Sequence, residues 1–307
     1  MNDLFLTGAS GFLGSHLLAR LDPAAYSSIT LLCRSEPVLP ESLRSAANVR
    51  VVRASLDDVD DYADFLGTGS LVVHMAAVTG KADRAAYLAV NTHATGKLIN
   101  AATKAGVAGF LFVSSIAVSF SDRQGYHYAD SKEQAEQLLK NSTLPWCILR
   151  PTIILGEDSP IWHSFRGLAK KSLIVLPGNG RTLIQPVDVD DLVTLMLDII
   201  GERRFNNEML EIGGPEALSL DAFVQRIHQA CCDGQPRIVH LPLGLVLTPL
   251  RLVERVFPSL LPVSSGQFAS FNNDGTVTAN ALLTPASGRM RDVDEMLHRL
   301  TGREAHG

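Results

Sequence analysis

Leu4-Phe5-Leu6-Thr7-Gly8-Ala9-Ser10-Gly11-Phe12-Leu13-Gly14 reads as the end of a strand, a turn with glycine at every third position, and the start of a helix. Glycines at 8, 11 and 14 allow a tight backbone path that Cβ atoms would obstruct. The helix that follows aims its N-terminal N–H groups and dipole at an anion. Leu13, Leu17, Leu18 and Leu21 fall on one helical face, and the run 28–33 forms a second apolar strand. The result is a strand–helix–strand unit built to hold a dinucleotide pyrophosphate, with Thr7, Gly8, Ser10, Gly11, Phe12, Leu13 and Gly14 as candidate contacts.

Outward from this unit, apolar strands at 4–6, 29–33, 49–52, 71–74, 110–114 and 146–149 alternate with helical patterns at 12–21, 60–66, 82–106 and 128–141. That alternation predicts an α/β fold of Rossmann type, a doubly wound parallel sheet. After Pro151 the pattern loosens into Gly- and Pro-rich loops, a helix at 188–200, a strand near 210 and short helices at 220–231 and 292–300. The expected division is a coenzyme-binding domain over 1–155, rejoined by 186–213, and a smaller C-terminal substrate-binding lobe over 156–185 and 214–307.

Length and composition set bounds on the function. The chain has 307 residues, net charge −5 and 46% hydrophobic residues, enough for one large core or one large and one small. Without a basic block there is no reason to expect nucleic acid as a partner. The chain enters its first strand at once, so the expected location is the cytoplasm. Cys33, Cys147, Cys231 and Cys232 form no metal-binding spacing and are expected to be reduced and mostly buried. His16, His74 and His163 lie in apolar stretches, as structural histidines do, and no metal site is expected. The apolar stretch 241–253 is interrupted by Pro242, Pro249 and Arg251 and is too short to cross a bilayer. With Val256, Phe257, Leu260 and Leu261 it fits an ordinary buried helix, an amphipathic cover over an apolar pocket, or a surface for peripheral membrane contact.

A second constellation carries chemistry. In Tyr128-Ala-Asp-Ser-Lys132, the tyrosine and the lysine stand one helical turn apart, which brings an ammonium toward a phenol. Such a cation favours phenolate and is expected to lower the tyrosine pKa toward neutral pH. Ser115, at the end of the preceding apolar strand, can hold a substrate oxygen. Together these three form a proton-transfer device.

With these motifs the chain resembles the short-chain dehydrogenase/reductase superfamily, in particular its extended and atypical, epimerase/dehydratase-like members. The resemblance also takes in His74-Met-Ala-Ala77, the helix from Asn91 to Ala102, Leu149-Arg-Pro-Thr-Ile-Ile-Leu-Gly156 and Val187-Asp-Val-Asp-Asp-Leu192. It implies an oxidoreductase in which Ser115 polarises a carbonyl and Tyr128 exchanges its proton. Lys132 tunes Tyr128 and binds the nicotinamide ribose, and Asn91 supports a water relay. Met75, Ala76 and Ala77 would lie along the coenzyme, with Pro151 and Ile154 near the nicotinamide. Leu56 and Ser55 would stand beside the adenine, Ser55 where relatives commonly carry Asp. Ser114 is the weaker candidate for the serine role, and Tyr126, with Asp130 four residues on, is assigned to the pocket lining. Homodimers in this family commonly form through helices corresponding to 86–106 and 128–141, and the sequence does not decide between a dimer and a monomer.

Coenzyme choice is read at the end of the second strand, where an NAD site wants a carboxylate and this chain has Cys33-Arg34-Ser35. Arg34 can pair with a 2′-phosphate, so NADP is preferred over NAD. By the resemblance, nucleotide-sugar relatives place an arginine where this chain has Ile184 and a tyrosine where it has Leu155. With Trp162, Phe165, Phe268 and Phe271 this favours an uncharged, hydrophobic or secondary-metabolite-like small molecule, although those aromatics fit a core equally well. The reading is therefore an NADP-dependent carbonyl reductase or alcohol dehydrogenase. Its alternatives are a nucleotide-sugar epimerase/dehydratase and a non-catalytic NADP-binding sensor or assembly protein.

Overall fold

Alternating apolar strands and amphipathic helices fold as the pattern dictates. A computed structural model describes residues 2–232, 234–245, 272–278 and 290–302. In chain order the first elements are β1 (Asn2–Thr7), α1 (Phe12–Arg20), β2 (Tyr26–Cys33), α2 (Glu41–Arg44), β3 (Val49–Arg53) and β4 (Leu71–His74). Next come α3 (Arg84–Tyr87), α4 (Thr95–Ala105), β5 (Gly109–Val113), α5 (His127–Lys140), β6 (Trp146–Pro151) and β7 (Ile154–Leu155). They are followed by α6 (Pro160–Ala169), β8 (Leu173–Pro177), β9 (Leu183–Ile184), β10 (Val187–Asp188) and α7 (Val189–Glu202). The remainder is β11 (Glu208–Ile212), β12 (Leu218–Ser219), α8 (Leu220–Cys231), β13 (Arg237–Leu241) and α9 (Val293–Thr301).

Seven strands form one sheet in the order β11-β6-β5-β4-β1-β2-β3, with parallel pairing from β6 through β3. The sequence order turns back between β1 and β4, and it is outside such strand ends that α/β sheets bind ligands. The fold class read from the sequence is therefore the observed one.

Two helical expectations are corrected. The stretch 60–66 is two separate single turns, Val59–Asp61 and Ala63–Phe65, rather than a continuous helix. The span 82–106 is not uniform either, because a π-helical stretch, Leu88–Ala94, separates α3 from α4. Such stretches are frequent at functional sites, and this one carries buried Asn91.

The chain divides into two compact units: Met1–Val118 with Tyr128–Arg150 and Val193–Leu210, and Ser119–His127 with Pro151–Leu192 and Glu211–Gly307. In the first, Phe5, Val72, Phe110, Phe112 and Ile148 from the sheet pack with Leu98, Ile99 and Ala102 of α4 and Leu139 of α5. In the second, Trp162, Phe223, Val224, Ile227, Met296 and Leu297 bring α6, α8 and α9 together with Leu155 and Ile184. Phe165 meets Phe223 edge-on at 5.1 Å between ring centroids, so Trp162 and Phe165 are core residues. Fully buried Asp188 anchors α9 through Arg291 Nη1 at 2.9 Å and Arg299 Nη2 at 2.5 Å.

Among the described residues no helix is long and apolar enough to cross a membrane. The apolar region expected at 241–261 lies largely outside them, as do Phe268 and Phe271. All four cysteines are free, with Cys33 and Cys147 buried and Cys231 and Cys232 partly so.

Candidate functional site

The glycine turn is forced by contact. Gly8 has φ +76°, and a Cβ there would stand 2.5 Å from the amide nitrogen of Ala76. A Cβ on Gly14 would overlap the Gly8 carbonyl, while one at Gly11 would meet nothing closer than 3.3 Å. Thus Gly8 lets the turn close on the Met75–Ala76 backbone and Gly14 lets α1 start directly under the turn. Gly11 caps α1 with no side-chain hydrogen bond, and the first turn holds no acidic residue. The opening N–H groups therefore face out for an anion. This cradle fits a dinucleotide pyrophosphate.

Thr7 is buried at the end of β1 and braces the cradle. Its Oγ1 lies 2.6 Å from His74 Nδ1 and accepts the Ala76 N–H at 3.3 Å. The other ring nitrogen of His74 bonds Thr95 Oγ1 at 2.9 Å. Burial, assisted by the positive Lys132, drives the His74 pKa down to about 3, so the imidazole is neutral. Ser10 and Gly11 are exposed, Phe12 and Leu13 half-buried. The Cys33 thiol is hydrogen-bonded by the backbone of Ser10 and Ala9, which docks the end of β2 against the turn and puts exposed Arg34 next to it. Ser55 Oγ accepts the Asp57 N–H at 3.2 Å, while Leu56 is buried in the core.

Past the end of β5 the Ser115 hydroxyl lies within hydrogen-bonding reach of the Tyr128 phenol. Ser114 turns the other way and donates to Glu136 Oε1 at 2.6 Å, so the two serines have different partners. The Tyr128 ring meets the Tyr87 ring edge-on at 6.0 Å. Burial pushes the Tyr128 phenol up to about 12; the Ser115 bond lowers it and the neighbouring Tyr87 raises it. This reverses the expected lowering, and the reason lies in where Lys132 goes. Its Nζ donates to the Val113 carbonyl at 2.6 Å and stands 4.1 Å above the Phe112 ring, a cation–π arrangement. The helical spacing is as read, but the strand below takes the ammonium.

Burial lowers Lys132 to about 7, with Glu136 pulling it back up. Unfolded, a lysine titrates near 10.4, so between about pH 7 and 10 the unfolded chain binds the extra proton and this group makes stability rise with pH. Lys132→Met is expected to remove that rise. Melting temperatures of the two proteins from pH 6.5 to 9.5 check it, and parallel curves would contradict it.

The side chain of Asn91, the residue assigned to a water relay, clamps backbone. Its Oδ1 accepts the Val78 N–H at 2.7 Å, and Nδ2 donates to the Val78 carbonyl at 3.0 Å and to Ser131 Oγ at 3.1 Å. Ser131 in turn donates to the Tyr128 carbonyl at 2.7 Å. Met75, Ala76 and Ala77 are half-buried at the start of that clamped loop. The first unit thus brings together the glycine turn, Met75–Ala77, Asn91, Ser115, Tyr128 and Lys132. Pro151 and Ile154 belong to the second, where Ile154 pairs with Val187. Tyr126, also in the second, stacks on Phe120 at 6.5 Å. Sequence reading missed Glu136 and Arg150; the sign available was a glutamate four residues beyond Lys132 on the same helical face.

A family model described as NAD(P)H-binding matches residues 8–164. Over 304 residues the chain is 23% identical to the mitochondrial NADH dehydrogenase (ubiquinone) 1 alpha subcomplex subunit 9 of Arabidopsis thaliana, covering 96% of this chain and 74% of that protein. It is 26% identical to the UDP-glucose 4-epimerase of Vibrio cholerae, over 73% of this chain and 74% of the enzyme. Among solved structures, MoeE5 in complex with UDP-glucuronic acid and NAD superposes with TM-score 0.61 at 25% identity, over 78% of this chain and 86% of that one. The structure of gox2253 shares the fold over 99% of this chain and 100% of that one, with TM-score 0.73 and 22% identity.

Proposed function

Because the chain belongs to the NAD(P)H-binding family, within the extended short-chain dehydrogenase/reductase superfamily, we propose that it is an NADP-dependent carbonyl reductase, or the reverse alcohol dehydrogenase, acting on an uncharged hydrophobic small molecule. The observation that carries this reading is the Ser115–Tyr128 hydroxyl pair, on the same unit as the glycine cradle and with Lys132 one turn along α5.

With its pKa near 12, the Tyr128 phenol is protonated at neutral pH, the form that donates a proton to a carbonyl oxygen. The Ser115 hydroxyl donates its one O–H in a hydrogen bond to that carbonyl oxygen, and once the oxygen has been protonated it can turn to donate to the phenolate left behind. A bound reduced nicotinamide supplies hydride to the carbonyl carbon, so that carbon and oxygen together gain the two hydrogens of an alcohol. Below its midpoint of about 7, Lys132 holds positive charge close to the strand end where the phenolate forms, and Asn91 keeps the loop after β4 in place. The second unit serves as the substrate lobe in this reading. Ile184 and Leu155, where nucleotide-sugar relatives carry Arg and Tyr, are buried in its core, which supports an uncharged substrate.

NADP rather than NAD is proposed from Arg34, exposed at the end of β2 with no hydrogen bond or ion pair to another described residue. Arg53, the last residue of β3, pairs in register with Cys33 and adds an exposed cation at the same edge. Charge-assisted hydrogen bonds contribute about 1.5–3 kcal/mol. Arg34→Ser is therefore expected to weaken NADPH binding by about tenfold or more and leave NADH nearly unchanged, as read by quenching of intrinsic fluorescence. Equal losses for both coenzymes would remove the NADP assignment.

The function itself is tested by following NADPH oxidation at 340 nm with uncharged aldehydes and ketones. Two other outcomes point elsewhere. Copurified NAD with conversion of UDP-glucose and no net redox change favours an epimerase, the activity named for the Vibrio cholerae relative. NADPH-dependent thermal stabilisation without turnover of any carbonyl favours a binding or assembly role, in keeping with the Arabidopsis relative, a subunit of a larger complex.

A further inference from the structure

Resting on that reading, we propose that Glu136 is a positioning residue that locks the strand end bearing Ser115 onto the helix bearing Tyr128 and places a fixed negative charge one turn from Lys132. Three consecutive residues at the end of β5 are each tied to α5. The Val113 carbonyl accepts from Lys132 at 2.6 Å, the Ser114 hydroxyl donates to Glu136 at 2.6 Å, and the Ser115 hydroxyl meets Tyr128. The three helical partners stand at positions 128, 132 and 136, on one face at successive turns.

Glu136 is the anchor of this ladder. It is fully buried, and both carboxylate oxygens are shared. Oε1 accepts from Ser114 and from Arg150 Nε at 2.9 Å; Oε2 accepts from Arg150 Nη2 at 2.6 Å and Lys140 Nζ at 3.2 Å. Burial alone would raise its pKa, but the hydrogen bonds from Arg150 and Ser114 and the charges of Arg150 and Lys140 outweigh it and hold the carboxyl below its ordinary range. The Ser114 N–H donates to the Leu149 carbonyl at 2.7 Å, so β6 is fastened into the same knot. Lys132 faces the Phe112 ring from β5, neutral His74 from β4 and Glu136 from its own helix. Of these only Glu136 is anionic, so it offsets the burial of the ammonium.

A buried ion pair is weak support for stability, because desolvation cancels much of the attraction. Its effect here falls on geometry and on the charge of Lys132.

The test is Glu136→Gln, which keeps the shape and removes the charge, read by NMR of protein labelled with 13C-lysine, the Lys132 signal being assigned by its loss in Lys132→Met. An opposite charge close by shifts a pKa by about 1–3 units, so the Lys132 midpoint is expected to fall by about one unit or more in Glu136→Gln and to return toward the parent value in Glu136→Asp. A midpoint that does not move overturns the proposal. Ser114→Ala removes one rung and keeps the carboxylate. It should lower carbonyl turnover about threefold or more, with KM and NADPH affinity little changed. Unchanged turnover there overturns the positioning role, and that variant decides if Glu136→Gln does not fold. A wild-type protein without carbonyl turnover removes the reductase reading alone, and the lysine midpoint then decides the role of Glu136.

Discussion

Tyr128→Phe is expected to reduce carbonyl turnover by about 10²–10⁴-fold, the range over which a positioned proton donor acts, while NADPH affinity stays within about threefold. The substitution removes one oxygen and keeps the ring. Its edge-on contact with Tyr87 at 6.0 Å needs no hydroxyl, so the helix should stay in place. What is lost is the proton for the substrate oxygen and the partner of Ser115. Because burial puts the phenol near 12, the parent enzyme holds it protonated through the neutral range. Loss of the donor form of Tyr128 should therefore not limit reduction between pH 6 and 9. Steady-state turnover and a fluorescence titration, run on both proteins, separate the two quantities. Turnover retained within about tenfold would mean that the proton comes from elsewhere, and the assignment of Tyr128 would fall.

The fold was readable because its signals are local. Leu4, Phe5 and Leu6 are consecutive and buried on both faces, as a central parallel strand must be. The glycine spacing reports steric limits within a dozen residues. Where partners come from distant segments, the sequence is silent. Helical spacing puts Lys132 beside Tyr128, yet its ammonium is taken by the Val113 carbonyl and the Phe112 ring, nineteen and twenty residues earlier in the chain. Asn91 reads as a member of one long helix, but both polar atoms of its amide are used by Val78, and the helix opens into a π-turn around it. Trp162 offers another case. Aromatic residues after Pro151 suit a pocket or a core, and only the packing of α6 against α8 makes Trp162 core.

Gly8→Ala is expected to weaken dinucleotide binding and stability together. At φ +76° an L-residue costs roughly 1–2 kcal/mol for the left-handed backbone alone. The added Cβ would also stand 2.5 Å from the Ala76 nitrogen and 2.7 Å from the Met75 carbonyl carbon, both backbone atoms with no rotamer to yield. Either the turn lifts away from β4 or the Met75–Ala77 loop shifts. In both cases the bond from Ala76 N–H to Thr7 lengthens beyond its present 3.3 Å. At roughly 1.4 kcal/mol per factor of ten, affinity for NADPH should fall about tenfold or more. The melting temperature without coenzyme should fall by at least several degrees. Gly11→Ala is the internal comparison, since a Cβ there meets only the Gly8 carbonyl oxygen, at 3.3 Å. It should be markedly milder in melting temperature without coenzyme. Equal losses of melting temperature at Gly8 and Gly11 would show that glycine flexibility in general, and not the close approach of the turn to Met75–Ala76, controls this end of the sheet.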